Sequence, residues 1–264
     1  MQREKTFLYD GWANSEKRRQ WVSICSSTTE TIEYAAEQWI DLAQQSISSR
    51  GQFCVALSGG STPLAIFQRL LEKREAVDWS RVLLFWSDER NVRPTDSQSN
   101  YRAAMEAGFK ELSLRDEQIH PLPTSESLSE LREILDNYQT YSIGQLSDRK
   151  FDLIMLGVGE DGHIASLFPK SEALSIREPG RWWVVNPLIK QKSVRLTMTF
   201  WALEQTRYLS IYALGQKKAK VIESLFSPSP LFFPVTSVGT EERFAHFLLD
   251  KEAGEALLKR ENHS

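Results

Sequence analysis

The chain has 264 residues, 41% of them hydrophobic and 25% charged, and 32 lysines and arginines against 35 aspartates and glutamates give a formal charge of −3. This profile excludes an extensively disordered chain, a collagen and a coiled coil. It offers no global attraction to a phosphate backbone or an anionic lipid surface, so neither nucleic acid nor a membrane is an expected partner. Cys25 and Cys54 are the only cysteines, too few for a disulfide framework or a zinc cluster. The N-terminus, MQREKTFLYDGW, lacks the apolar stretch of a secretory signal, and no window approaches the ~18 apolar residues of a membrane span. A cytoplasmic location is expected.

Residues 1–51 form an N-terminal strand and helix region without a chemical motif. Within it, Thr29–Ser46 reads as a helix. Thr28 or Thr29 is available as cap, and Ile32, Ala35, Ala36, Trp39, Ile40, Leu42 and Ala43 make one apolar face. Phe53–Leu57 follows as a buried strand, and then come a turn and a helix over Pro63–Glu72. Further strands are predicted at Val82–Trp86, Asp152–Leu156, Trp182–Val185, Val194–Met198, Tyr208–Ala213 and Phe244–Leu249. Helices are predicted at Asn100–Ala107, Leu128–Ser142, Lys217–Phe226 and Lys251–Lys259. Strands alternating with helices predict an α/β domain over residues 1–264, built as one mostly parallel sheet flanked by helices, with the motifs in 52–264. The Pro- and Ser-rich stretches Ser113–Glu126 and Ser227–Pro234 are too short to divide it.

Four motifs fall at predicted strand ends. Ser58-Gly59-Gly60-Ser61-Thr62-Pro63 lies between a strand and a helix. Its glycines admit a ligand close to the backbone, Thr62 is a possible cap and Pro63 suits the first helical position, so free N–H groups would face an anion. A tight turn with no ligand is an equally weighted reading, and the GKS or GKT ending of a nucleotide loop is absent. Ser87-Asp88-Glu89-Arg90 follows an apolar strand. Alone it would be an exposed salt-bridged turn, but it emerges where open α/β sheets bind ligands.

The third motif runs Gly157-Val-Gly159-Glu-Asp161-Gly162-His163-Ile-Ala-Ser166-Leu-Phe-Pro169. G-x-G-x-x-G after a strand suggests a dinucleotide fold, but Pro169 cuts the following helix short, Glu160 and Asp161 oppose a pyrophosphate, and the next strand ends in Asn186 rather than an acid. What remains is a turn presenting His163, a candidate proton-transfer group, with Asp161 or Asp88 as its orienting carboxylate. The fourth is Arg195 with Gly215-Gln-Lys217-Lys218, cations able to face a phosphate. A small phosphorylated substrate undergoing acid–base chemistry uses all four.

In combination and in this order, LSGGSTP, WSDER followed by SNY, LGVGEDGHIASLFP, RLTMT and GQKKA resemble the 6-phosphogluconolactonases of the glucosamine-6-phosphate isomerase/6-phosphogluconolactonase superfamily. The resemblance runs from about Val55 to the C-terminus. It implies a Rossmann-like fold, hydrolysis of a small phosphorylated sugar lactone, no metal or organic cofactor, and a monomer or small homo-oligomer. By position, it makes His163 the general base and puts Asp88 and Arg90 beside the lactone. The phosphate would lie on Ser58, Gly59, Gly60, Ser61, Thr62, Arg195 and Lys218, with Lys217 as the alternative lysine.

Glucosamine-6-phosphate deaminases share this scaffold but follow His-Ile-Ala with Phe-Asn-Glu-Pro and carry a tyrosine after Asp-Glu. This chain has Phe168 at the glutamate position and Arg90 at the tyrosine position, and a phenyl ring cannot transfer a proton. A sugar-phosphate binding module without turnover is the alternative of another class. Arg93, where the family often has proline, leaves the conformation of its loop open.

Overall fold

The apolar runs of the sequence become the buried strands of a layered α/β fold. The computed structural model describes residues 3–13, 16–227, 233–239 and 245–261. Its strands are β1 (Arg3–Ala13), β2 (Glu16–Cys25), β3 (Phe53–Leu57), β4 (Val82–Trp86), β5 (Asp88–Arg90), β6 (Leu153–Gly157), β7 (Trp183–Leu188), β8 (Ser193–Met198), β9 (Leu209–Ala213) and β10 (Ala245–Asp250). The helices are α1 (Thr28–Arg50), α2 (Ser61–Glu72), α3 (Asn100–Glu106), α4 (Leu128–Gly144), α5 (Phe200–Glu204), α6 (Gln216–Leu225) and α7 (Lys251–Glu261).

Seven strands form one sheet in the order β1-β2-β10-β9-β6-β3-β4. Every neighbouring pair is parallel except β1 and β2, which form an antiparallel hairpin at one edge. Every residue of β3, β9 and β10 is buried, as expected of parallel strands covered by helices on both faces. Helix α1 lays Ala35, Ala36, Trp39, Ile40 and Ala43 on this core, and the Trp39 ring meets Phe53 edge-on with centroids 4.9 Å apart. Removing that indole would cost about 3–5 kcal/mol.

The expectation of one sheet is corrected: β5, β8 and β7 form a separate antiparallel sheet. It joins the large sheet through Ser87, whose N–H donates to Leu57 O at 2.8 Å and whose carbonyl accepts from Met198 N at 2.8 Å. Local patterning identifies a strand but does not name its partner, which is why β7 and β8 were expected in the main sheet. The hairpin β1–β2, the all-charged β5 and the five-residue α5 were not predicted as elements. Several boundaries also move: Trp182 and Asp152 precede their strands, and β7 continues to Leu188. Phe244 and residues 228–232 of the Pro- and Ser-rich stretch lie outside the described residues.

Two caps differ from expectation. Ser27, not Thr28 or Thr29, caps α1 by accepting from Glu30 N, and Gly51 closes the helix in the left-handed region at φ 81°. Helix α2 starts at Ser61 with Gly60 as its N-cap, at φ 104°, and no side chain bonds the cap. Thr62 and Pro63 are therefore second and third in the helix, and its first amide N–H groups stay open to a ligand.

Chain order places the site. From β3 the chain moves outward to β4, later returns to the other side of β3 as β6, and continues to β9 and β10. The C-terminal ends of β3 and β6 thus diverge at a switch point, the position where open α/β sheets form their ligand crevice. The glycine turn leaves β3 there, and the His163 turn leaves β6 beside it.

Candidate active site

A cavity of about 250 Å³ opens at this crevice. Ser58, Gly59, Gly60, Ser61, Thr62, Asp88, Arg90, His163, Arg195 and Lys218 all line it, although they come from five separate stretches of chain. Of the candidate site residues, only Asp161 lies outside the lining, and it reaches the site through His163.

The His163 turn is built on glycine at the points where a side chain would collide. A Cβ on Gly159 would lie 2.1 Å from His163 Nδ1 and 2.6 Å from Asp161 Oδ1. Gly162 has φ 76°, and a Cβ there would meet the Phe233 ring. The turn closes with Gly159 N donating to His163 O at 2.8 Å and Gly162 N to Gly159 O at 3.0 Å. Asp161 Oδ1 accepts from His163 N at 3.2 Å and lies 2.5 Å from His163 Nδ1. Of the two carboxylates considered, Asp161 therefore contacts the imidazole. A proton on Nδ1, donated to this carboxylate, leaves Nε2 with its lone pair for the cavity. The ring packs on Phe168, with centroids 4.2 Å apart.

Asp88 is held elsewhere. Ser166 Oγ donates to its Oδ2 at 2.6 Å, and Asn100 Nδ2 donates to its carbonyl at 3.0 Å and to Oδ1 at 3.3 Å. Burial raises its carboxyl above the usual range, against the hydrogen bond from Ser166 and the charges of Arg90, Arg195 and His163. Glu89, the charged neighbour, is structural: it accepts from Asn100 N at 2.7 Å, Tyr101 N at 2.8 Å and Ser99 Oγ at 3.1 Å. A carboxylate at the start of α3 satisfies amides that have no helical partner.

Arg90 and Arg195 face each other across the β5–β8 pair. Arg90 donates to Asn100 Oδ1, whereas Arg195 Nε is buried with no hydrogen-bond partner. Burial and the Arg90 charge both lower the Arg195 pKa, while Asp88 and Glu89 raise it. Two adjacent guanidinium groups, one with an unused buried N–H, make a site that gains from an anion. In the first turn of α6, Lys218 is half-buried and lines the cavity, whereas Lys217 is exposed and does not. The start of α6 is already served by carboxylates, with Asp250 accepting from Gly215 N at 2.9 and 3.0 Å and Glu252 from Gln216 N at 3.1 Å, so the Lys218 ammonium rather than the helix amides is what this element offers an anion.

Asn100, Ser166, Phe168 and Tyr212 also line the cavity. Sequence reasoning noted the first three only as parts of motifs and did not select them as site residues. Their contacts depend on α3 and β9 approaching the turns, which no local spacing encodes. Among the described residues, no group of three or more His, Cys, Asp or Glu side chains is placed to hold a metal ion, and no helix is long and apolar enough to cross a membrane.

Comparison with known proteins finds relatives that match most of this chain. A curated 6-phosphogluconolactonase from Chlamydia trachomatis is 36% identical over 232 residues, covering 87% of this chain and 88% of the relative. One from Chlamydia muridarum is 38% identical over 219 residues, 82% of each chain. The solved structure of 6-phosphogluconolactonase from Trypanosoma brucei is 25% identical, superposes with a TM-score of 0.76 and covers 89% of this chain and 98% of that one. The sequence model for glucosamine-6-phosphate isomerases and 6-phosphogluconolactonase matches residues 26–246. With a family match over most of its length and the corresponding fold, the chain belongs to the glucosamine-6-phosphate isomerase/6-phosphogluconolactonase family.

Proposed function

We propose that the chain hydrolyses 6-phosphoglucono-1,5-lactone to 6-phosphogluconate, the second step of the oxidative pentose phosphate pathway. The observation that carries this reading is one cavity combining the Asp161-held His163 with an uncapped helix start and the cations Arg195 and Lys218. The relatives named 6-phosphogluconolactonase support the substrate.

The phosphate docks on the Ser58–Thr62 turn, Arg195 and Lys218, and this remote binding orients the lactone carbonyl toward His163. His163 Nε2 takes a proton from water, and the oxygen attacks the carbonyl carbon. Negative charge moves to the carbonyl oxygen, where Arg90 is the available counter-charge. When the tetrahedral intermediate collapses, the bond from the carbonyl carbon to the ring oxygen breaks. The proton held by His163 passes to that oxygen, and the new carboxylic acid ionises to solvent. Asp161 keeps the imidazole oriented and stabilises its charged form during the cycle. Ser58 and Ser61 lack the nucleophile-elbow sequence of an acyl-enzyme serine, which favours water as the nucleophile.

Phe168 separates this reading from the deaminase chemistry of the same family, because its ring packs against His163, tilted by 32°, at the position where a proton-transferring glutamate would be needed. Offering the protein fresh lactone and glucosamine 6-phosphate in parallel tests the choice. Accelerated acid release from the lactone with no ammonia from the amino sugar is expected. The reverse pattern would assign the deaminase activity, and phosphate-dependent binding without turnover would assign a binding module. A cytoplasmic location belongs to the same reading, supported by a composition with only two cysteines, both buried.

A further inference from the structure

Asn100 touches three separate parts of the cavity. Its Nδ2 donates to the Asp88 carbonyl at 3.0 Å and to Asp88 Oδ1 at 3.3 Å, and its Oδ1 accepts from Arg90. The same Oδ1 lies only 2.0 Å from where a Cβ on Gly59 would be, with Cγ at 2.6 Å. Gly59 is not among the glycines with positive φ, so backbone conformation does not demand a glycine there. The Asn100 amide does, because it occupies the space of the missing side chain.

The chemistry specifies an amide. One end must donate to two acceptor oxygens of Asp88 and the other must accept from the Arg90 guanidinium, and only a side chain with a donor and an acceptor side by side does both. A carboxylate in this place would face Asp88 with like charge and no donor. Asn100 is itself fixed, with its side chain buried and its N–H bonded to Glu89 Oε1 at 2.7 Å. A side chain locked by its own packing can hold others in register.

We propose that Asn100 is a positioning residue that couples the phosphate-binding glycine turn to the Asp88–Arg90 pair, and that Gly59 is glycine to admit it. Phosphate docking then sets the charged pair, so binding energy gained at one end of the substrate organises the other. The inference rests on the lactonase reading for its assay but not for its geometry.

A double-mutant cycle of Gly59→Ala and Asn100→Ala, followed by kcat, KM and 6-phosphogluconate affinity, tests it. Gly59→Ala alone is expected to lower kcat/KM by about tenfold or more, because its new Cβ displaces the Asn100 amide. In the Asn100→Ala background the same change should cost about twofold at most, since the obstructing atoms are gone. Asn100→Asp, close in shape, should raise KM and lower kcat together, with the protein still folded by circular dichroism. Losses that multiply independently in the cycle would overturn the coupling, as would an Asn100→Asp protein with unchanged kinetic constants and only a lower melting temperature. If the wild type binds 6-phosphogluconate without hydrolysing the lactone, the functional reading fails alone and the affinity cycle decides the role of Asn100. A wild type that does neither overturns both.

Discussion

The two ends of the cavity are built in opposite ways. At the end we propose for the phosphate, hydrogen-bonding capacity is left unused: Arg195 Nε is buried without a partner, and α2 starts with no side-chain cap. At the end proposed for the lactone it is already engaged, with Asp161 on His163 and with Ser166 and Asn100 on Asp88. An end that only binds can leave groups open for the ligand to complete. An end where charge develops gains more from groups held before the substrate arrives. Substitutions at the lactone end should therefore act mainly on kcat, and those at the phosphate end on KM.

The largest effect expected of a change outside the imidazole itself comes from Gly159→Ala. Its Cβ would overlap both His163 Nδ1 and Asp161, so kcat should fall by about 10²-fold or more, approaching the loss of the base itself. A folded Gly159→Ala protein with wild-type kcat in steady-state kinetics would break the claim that the dyad is fixed over this glycine.

At the other end, Arg195→Ala should raise KM by about 10- to 100-fold, the worth of a charge-assisted hydrogen bond to an anion, while kcat changes little. A fall in kcat at unchanged KM would move Arg195 from the phosphate to the reacting carbonyl. The lysines sharpen the assignment further. Lys218→Ala should raise KM by about tenfold, and Lys217→Ala, exposed and outside the cavity, by less than about twofold. Equal effects from the two would contradict the selection of Lys218.

The smallest effect expected is on stability. Asp88 has its carboxyl raised by burial, so its ionised form is disfavoured in the folded protein relative to the unfolded chain. That cost is absent below the ordinary carboxylate range, where both states are protonated, grows as pH rises toward the raised folded value, and is fully present above it. Asp88→Asn should consequently show a melting temperature at or above wild type at pH 8, with the difference shrinking toward pH 4, while activity falls. A variant that loses more stability at pH 8 than at pH 4 would contradict the direction of this shift.

The legibility of the fold follows the same contrast between local and distant information. Strands β3, β4, β6 and β9 are short apolar runs, and their burial on both faces writes them directly into the sequence. Strand β5 is Asp-Glu-Arg and looks like a surface turn, because its identity as a strand depends on pairing with β8. The hairpin β1–β2 is rich in charged residues and aromatics without a clean alternation, so it escapes a period-two search. In the site, the glycine turn and the His163 turn were legible because each is a contiguous motif. The contact of Asp161 rather than Asp88 with the imidazole was not, since both carboxylates are within plausible reach in the sequence, and only the fold brings Ser166 and Asn100 onto the Asp88 carboxylate. Asn100 itself was visible in SNY but gave no sign of its contact with Gly59, forty-odd residues upstream.

The central claim is that His163 drives hydrolysis of a phosphorylated lactone. Its most direct test is 6-phosphogluconate formation from freshly generated lactone, at mildly acidic pH where spontaneous hydrolysis is slow, for wild type and His163→Ala. The account predicts clear acceleration by wild type and a loss of roughly 10²- to 10⁴-fold in a folded variant. No acceleration by wild type, or near-full activity in His163→Ala, would contradict it.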